Sequence, residues 1–201
     1  MNMNKSFYNA VEERRSIYAL GKNVSLSEDK IEGLIEHAVL HAPSAFNSQT
    51  GRVLVLFGES HDKLWDITME ALRKIVPAGS FSSTEAKINS FKAGYGTVVY
   101  FEEQDTIKNL QEQFALYKDN FPVWSEQGAG ILQYIIWTSL SIEGIGASLQ
   151  HYNEVIEEDF RKAFNIPASW KMTAQMPFGS IEAPAGDKEF MDLKDRLRVQ
   201  R

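Results

Sequence analysis

Cysteine is absent from this chain of 201 residues. Without a thiol, the protein can form no disulfide bond, no thiolate metal site and no cysteine nucleophile. A chain of this length buries about 70% of its unfolded surface, so its core is large enough to stabilise it without cross-links. We therefore expect a globular protein, and the lack of cysteine is compatible with a reducing compartment.

Positive charge is scarce as well. The chain has 21 lysine and arginine residues against 27 aspartate and glutamate residues, a net charge of −6. Proteins that bind nucleic acid need clustered cations to contact phosphates, so we expect no nucleic-acid partner. The longest apolar segment is too short to span a bilayer, and the polar residues 1–5 do not resemble a secretion signal. These features predict a cytoplasmic protein with no membrane partner.

Several motifs of common enzyme classes are incomplete. Gly144 and Gly146 lack the third glycine of a dinucleotide-binding loop, and no Walker loop occurs, so they also fit a tight turn. His37 and His41 have a spacing that can bind zinc, but no third ligand is evident, and we predict no metal. Ser148 lies in a near match to the nucleophile elbow of hydrolases whose last glycine is replaced, which disfavours a hydrolase.

Apolar periodicity predicts more helix than strand. Ser25 and Glu28 have the spacing of a capping box, with Ser25 as the N-cap of a helix that ends near His41. The other predicted helices cover residues 5–13, 63–75, 105–117, 128–143 and 155–164. The predicted strands cover residues 53–57, 97–101 and 172–178, with the first covered on both faces. Residues 78–83 and 122–125 are predicted loops. With no linker evident, residues 1–201 are expected to form a single α+β domain in which helices enclose a small sheet.

Polar side chains concentrate in three segments. Arg14, Arg15 and Ser16 can form a phosphate clamp of guanidinium and hydroxyl donors, although a solvated helix end has the same composition. Residues 43–49, here called the 43–49 loop, combine hydroxyl, amide and aromatic groups that suit a planar polar heterocycle, or form an ordinary turn. Residues 148–151, here called the 148–151 segment, can present backbone N–H groups to a ligand.

Phe121 and Trp124 can form the wall of a pocket or cover a dimer interface.

Together, ordered segments across nearly the whole chain resemble the FMN-dependent nitroreductase superfamily, and within it the branch called fatty-acid-repression-mutant-type nitroreductases. The segments are Arg14-Arg15-Ser16, Pro-Ser-Ala-Phe-Asn-Ser-Gln at 43–49, Gly-Tyr-Gly-Thr-Val-Val-Tyr-Phe at 94–101, Gly-Ile-Gly-Ala-Ser-Leu-Gln-His-Tyr-Asn at 144–153 and Met-Pro-Phe-Gly at 176–179. The resemblance implies a three-layer sandwich. Helices would enclose a small, mostly antiparallel sheet around a long buried central helix, and a homodimer would bind FMN at the subunit interface.

The resemblance also implies roles for individual residues. Contacts to FMN are implied for Arg14, Arg15, Ser16, Pro43, Ser44, Ala45, Asn47, Gln49, Lys87, Leu149, Gln150, His151 and Arg196, the last with Lys194 beside it. The loop contacts would come from the partner subunit, and Phe46, Phe121 and Trp124 would line the substrate pocket. Tyr18, Thr50 and Gly51 depart from the pattern of common bacterial nitroreductases, which bears on substrate range and nicotinamide preference.

The activity implied by the resemblance is electron transfer from NAD(P)H to nitroaromatic or quinone acceptors in a ping-pong cycle. FMN would carry the chemistry, so no catalytic acid or base among the side chains is expected. The alternative is a non-catalytic protein that binds flavin or another ligand and regulates stress responses or lipid metabolism.

Overall fold

The computed structural model describes residues 6–201. The helices are α1 (Phe7–Glu13), α2 (Glu28–His41), α3 (Gly58–Arg73), α4 (Phe81–Lys92), α5 (Gln104–Gln113), α6 (Asn120–Ile142) and α7 (Asn153–Phe164). The strands are β1 (Leu20–Gly21), β2 (Gly51–Phe57), β3 (Gly96–Glu103), β4 (Gly146–Ala147) and β5 (Trp170–Ile181). In the described part of the chain, no helix is long and apolar enough to cross a membrane.

The sheet is antiparallel and lies between two layers of helices. Its order is β1-β5-β3-β2, with β4 paired to β5. On β3, Val99 and Phe101 pack in the core beneath α3, α4 and α7, whereas Val98 and Tyr100 pack in the core beneath α2 and α6. This alternation follows from the two-residue period of a strand, which points successive side chains to opposite faces. The predicted α+β three-layer fold is confirmed.

The start of α2 differs from the prediction, and β2 is less buried than expected. The N-cap of α2 is Ser27, so the prediction of Ser25 was wrong; both serines precede the apolar face of the helix. The acidic Glu28 and Asp29 occupy the first turn, where their negative charge stabilises the helix by interacting with its dipole. Strand β2 contacts a core on each face, as predicted, with Leu54 and Leu56 on one side and Val53, Val55 and Phe57 on the other, although only Leu56 is fully buried. As an edge strand, β2 has a neighbour on one side only.

Two predicted loops are helical. Residues 81–83 begin α4, whose buried side chains Phe81, Ile88 and Phe91 follow helical spacing despite the serine-rich start. Residues 122–125 lie in the first turns of α6, so Phe121 and Trp124 are on a helix. Pro122 is tolerated there because the first turn of a helix needs no intrahelical N–H donor. The start predicted for α1 at residue 5 lies outside the described residues.

Helix α6 packs against α2 and the sheet along one face. Leu132, Ile136 and Leu140 are buried on that face. Ile131 and Tyr134 on the opposite face remain exposed in the single chain.

A buried hydrogen-bonded histidine joins α3 to β3. The ring of His61 has Nε2 3.1 Å from the carbonyl oxygen of Lys92, which can only accept, so Nε2 carries the proton. Nδ1 therefore accepts from the hydroxyl of Thr97 at 2.8 Å, and Thr97 in turn accepts from Trp65 Nε1 at 3.0 Å. Burial lowers the pKa of His61 below its usual 6.5.

This histidine should make the stability of the protein depend on pH. Above about 6.5 both the folded and unfolded states keep His61 neutral; below it, only the unfolded state gains a proton, so the free energy of unfolding falls until the pH reaches the folded-state pKa. We expect His61→Gln to remove this part of the pH dependence, as measured by urea unfolding at several pH values. His37→Gln is the control, since His37 lies on the exposed side of α2; an identical pH dependence in wild type and His61→Gln would contradict the assignment.

Candidate functional site

The residues that follow α1 run beside β4. Ser16 forms a parallel bridge with Ala147. The amide of Ile17 donates to the carbonyl oxygen of Ala147 at 2.9 Å, and Trp137 Nε1 donates to the same oxygen at 3.2 Å. The structure therefore brings Arg14, Arg15 and Ser16 next to the start of the 148–151 segment.

Arg14 carries buried donors without acceptors. Its guanidinium lies 4.2 Å from the centroid of the Trp137 ring and 6.0 Å from that of Tyr134. Nε and one terminal nitrogen of this guanidinium are buried and have no hydrogen-bond partner within the described chain. Because burying an unpaired charged donor is costly, the arrangement fits an anionic group with oxygen acceptors at this position.

Arg15 lines an open cavity of about 540 Å³, which Arg14 and Ser16 also line. Its Nη2 donates to the carbonyl oxygen of Gly186 at 2.7 Å. Arg14, Ser16 and Tyr18 form one wall, and residues 183–188 form the other. The volume is in the usual range for small-molecule and cofactor sites.

The 43–49 loop has an unusual backbone. Phe46, Asn47 and Gln49 have φ values of 58°, 49° and 49°, in the left-handed region that non-glycine residues rarely adopt. Ser44 stabilises the turn, since its Oγ accepts from the Gln49 amide at 2.9 Å. Each such residue costs on the order of 1–3 kcal/mol, and strain of this kind is concentrated at ligand-binding and active sites.

An aromatic cluster holds the tip of the loop. The Phe46 ring is 52% exposed and stacks on Trp124, with centroids 5.8 Å apart and planes at 22°. Phe121 contacts it edge-on at 5.4 Å. The three residues predicted to line the substrate pocket are thus adjacent. Phe114 and Tyr117, at 5.1 and 6.0 Å from Phe46, complete the cluster; they belong to the predicted helix over 105–117 and carried no sequence signal of their own.

The 148–151 segment is fixed to β5. The amide of Gln150 donates to the carbonyl oxygen of Gln175 at 2.7 Å, and the amide of Gln175 donates back at 2.9 Å. The Gln150 N–H is therefore not free for a ligand, contrary to the prediction for the whole segment. In an antiparallel pair, the flanking residues point their amides the other way, so Leu149 and His151 remain the candidates. Ser148 is fully buried and accepts from Gln150 Nε2 at 3.1 Å, a placement that does not suit a hydrolase nucleophile.

Gln175 was missed by the sequence reasoning. Its side chain is fully buried, accepts from the Tyr152 amide at 2.9 Å and donates to Asn153 Oδ1 at 2.6 Å. Together with its backbone pairing to Gln150, it fixes both ends of the turn from β4 into α7. The available signal was a polar residue inside the apolar strand 172–178.

The remaining predicted cations lie apart from Arg14. Lys87 is exposed on α4, with Nζ 5.9 Å from the Phe91 ring centroid, and Phe91 is 6.5 Å from the Tyr152 ring. Lys194 pairs with Asp192 at 2.9 Å, and Arg196 is exposed near the chain end. The described contacts do not bring Arg196 to Arg14, so its role stays a prediction.

Within one chain, the 43–49 loop and Arg14 lie along different parts of α6. A Cβ on Gly128 would be 3.9 Å from Ser44 Cβ, whereas Arg14 packs on Trp137, nine residues further along α6. At about 1.5 Å per residue, these contact points are roughly 14 Å apart along the helix. The loop and the Arg14 cavity are therefore separate parts of the surface of a single chain.

Comparisons with known proteins identify the family of this chain. Residues 11–180 match the model of the Nitroreductase family. The Saccharomyces cerevisiae protein HBN1, whose name assigns it to the nitroreductases, is 31% identical over 92% of this chain and 93% of its own length. The structure of nitroreductase CinD from Lactococcus lactis in complex with chloramphenicol is 52% identical, with a TM-score of 0.90 over 98% of this chain and 100% of that chain.

Two further structures extend the comparison. CinD in complex with 4-nitrophenol gives 53% identity and a TM-score of 0.89, over 98% of this chain and 100% of that chain. A protein from Desulfovibrio desulfuricans, in complex with FMN, has the same fold with a TM-score of 0.72 at 18% identity, covering 99% of each chain. The family model covers most of the sequence, and the two CinD structures extend over nearly all of it. This chain belongs to the nitroreductase family.

Proposed function

We propose that the protein is an FMN-dependent oxidoreductase that uses NAD(P)H to reduce nitroaromatic or quinone-type acceptors. The observation that carries the proposal is the pair of buried donors on Arg14, beside the 148–151 segment, that have no partner among residues 6–201. A flavin phosphate or other oxygen acceptor of FMN would satisfy them. When bound, FMN would supply the redox chemistry, the transfer of electrons from NAD(P)H to the acceptor in a ping-pong cycle.

The arginine pair and its neighbours would bind the polar end of the cofactor. Arg14 offers charged donors from a buried position, and Arg15 and Ser16 face the same cavity. Residues 148–151 would lie along the flavin ring, with the amides of Leu149 and His151 as donors. Lys87 would place positive charge near the pyrimidine edge, where it would stabilise negative charge on the reduced cofactor.

A homodimer would complete the site. Because the 43–49 loop lies about 14 Å along α6 from the Arg14 contact, it is better placed to serve a second subunit than its own cavity. The exposed Ile131 and Tyr134 on α6 give an apolar surface for such a partner. In this arrangement Pro43, Ser44, Ala45, Asn47 and Gln49 would contact the partner's FMN. Residues 1–201 would act as a single domain, and we place the enzyme in the cytoplasm.

The acceptor site would be walled by the aromatic cluster. About half of the Phe46 surface is exposed to solvent, and the ring packs against Phe121 and Trp124. Flat electron-poor rings stack favourably on such side chains. The complexes of CinD with chloramphenicol and 4-nitrophenol support nitroaromatic acceptors for this chain as well.

The alternative is a regulatory protein of stress or lipid metabolism that holds flavin without turnover. The two proposals differ in one result: the enzyme should lose its flavin absorbance when NADH or NADPH is added without oxygen, whereas the regulatory protein should not. The 52% identity to the nitroreductase CinD over nearly the whole chain favours the enzyme.

Replacing Arg15 tests the phosphate clamp. We expect Arg15→Ala to weaken FMN binding by roughly 1.5–3 kcal/mol, the range for a hydrogen bond to a charged group. Fluorescence titration of the apoprotein with FMN measures the change. Lys22→Ala is a control on a nearby exposed cation that pairs with Asp62, away from the cavity. Equal affinities of Arg15→Ala and wild type would contradict the clamp.

The visible spectrum of the purified protein tests the cofactor directly. We expect a yellow protein whose released chromophore has the mass of FMN, and steady oxidation of NAD(P)H when 4-nitrophenol or a quinone is supplied. A colourless protein that FMN does not reconstitute would refute the proposed function.

A further inference from the structure

A carboxyl group is buried beneath the 43–49 loop. Glu102, at the end of β3, is 1% exposed. Its Oε2 accepts from the hydroxyl of Ser125 on α6 at 2.8 Å. Thr50, the residue that follows the loop, is buried and lines the same cavity as this carboxyl group, and its hydroxyl acts on the group as a hydrogen-bond donor that lowers its pKa. Glu102 lines a cavity of about 160 Å³, and Ser44 and Gln49 of the loop line the same cavity.

Few charges compensate Glu102. The charge of Arg52 on β2 lowers the pKa of Glu102, and that of Glu126 on α6 raises it. Lys171, which is opposite Glu102 on β5, pairs with Glu126 at 3.4 Å. Burial is the largest influence and raises the pKa of Glu102, whereas the Thr50 and Ser125 hydroxyls lower it. Burying an acid is costly, and the interactions with Ser125 and Thr50 have to offset that cost for the carboxyl group to stay in place.

The two bonds connect the loop to the helix that supports it. Thr50 is buried and continues directly into the loop, and its carbonyl oxygen accepts from the amide of Glu103 at 2.9 Å. Ser125 is adjacent in sequence to Trp124, on which Phe46 stacks. We propose that Glu102 is a positioning residue that holds the 43–49 loop in its strained conformation by joining Thr50 to Ser125. The inference deepens the proposed function, since this loop is the part assigned to the partner's FMN.

Hydrogen exchange tests the proposal without any flavin. The amides of Asn47, Ser48 and Gln49 are hydrogen-bonded to Ser44 or Ala45, so their exchange reports on loop opening. We expect Glu102→Leu and Thr50→Val to speed their exchange about three- to tenfold relative to the amides of β3, the effect of losing one hydrogen bond. Glu102→Gln should restore slow exchange, because an amide can accept from Ser125 and donate to Thr50. Glu126→Gln, which removes a nearby exposed carboxylate, should leave the loop unchanged.

The same variants should change flavin binding in parallel. We expect the dissociation constant for FMN to rise about three- to tenfold in Glu102→Leu and Thr50→Val and by less than about twofold in Glu102→Gln and Glu126→Gln. Unchanged loop exchange in both Glu102→Leu and Thr50→Val, or acceleration spread equally over β3, would overturn the inference. If Glu102→Leu does not fold, Thr50→Val decides, since it leaves the carboxyl group in place. A wild type that binds no FMN would refute the proposed function, while the exchange rates would still decide the role of Glu102.

Discussion

Replacing Arg14 by methionine is expected to weaken FMN binding by about 3 kcal/mol, or roughly 150-fold. Arg14 has two buried donors without acceptors in the described part of the chain, whereas Arg15 already donates to Gly186. The loss should therefore be at least as large as that for Arg15→Ala. Equilibrium titration of apoprotein with FMN measures it.

The same variant should behave differently in the absence of flavin. Removing a half-buried charge that has no acid partner among the described residues avoids its desolvation cost, although the contact with Trp137 is lost. We expect the free energy of unfolding of the apoprotein to change by less than about 1 kcal/mol. Arg14→Lys, which keeps the charge but not the forked donors, should bind FMN with intermediate affinity. A variant that unfolds without flavin, or binds FMN as wild type does, would contradict the assignment.

Replacing Gln175 by methionine is expected to lower the free energy of unfolding by about 2–4 kcal/mol. Methionine fills a similar volume but leaves the Tyr152 amide and Asn153 Oδ1 without their partners in the interior, and each unsatisfied group costs about 1–3 kcal/mol. Because Gln175 fixes the turn that contains His151, FMN affinity should fall as well. Urea unfolding and FMN titration measure the two effects.

A second buried glutamine provides the control. Gln133 lies on α6, and Gln133→Met introduces the same side chain there. We expect Gln133→Met to keep FMN affinity within about twofold of wild type, since the 148–151 segment is not held by α6 in the way it is by β5. Loss of affinity in both variants to the same extent would show that Gln175 has no specific role in placing the segment.

The sequence predicted the sheet and most helices because their apolar periods are long and regular. It did not predict the first turns of α6, because Pro122 and the neighbouring aromatic residues are typical of a loop. Only the packing of Phe121 and Ser125 into the core shows that they continue the helix. Residues 81–83, which are rich in serine, were likewise predicted to be a loop. Helix propensity is a weak guide where tertiary contacts stabilise the helix.

The candidate site was predicted in part. Residues 14–16 and the 148–151 segment are adjacent, as their shared assignment to one cofactor implies. They are brought together by a bridge between residues 16 and 147, which no local sequence pattern predicts. Nor does composition show that Phe46, Asn47 and Gln49 adopt left-handed backbone, because the loop is packed against residues far away in sequence, such as Trp124. The roles of Gln175 and Glu102 depend on burial and on partners far away in sequence.

The most direct test of the central claim is anaerobic reduction of the FMN-loaded protein. We predict that stoichiometric NADH or NADPH removes the oxidised flavin absorbance, that 4-nitrophenol or a quinone restores it, and that Arg14→Met shows neither change at FMN concentrations that saturate the wild type. Bound flavin that neither nicotinamide reduces would contradict the assignment of the protein as an oxidoreductase.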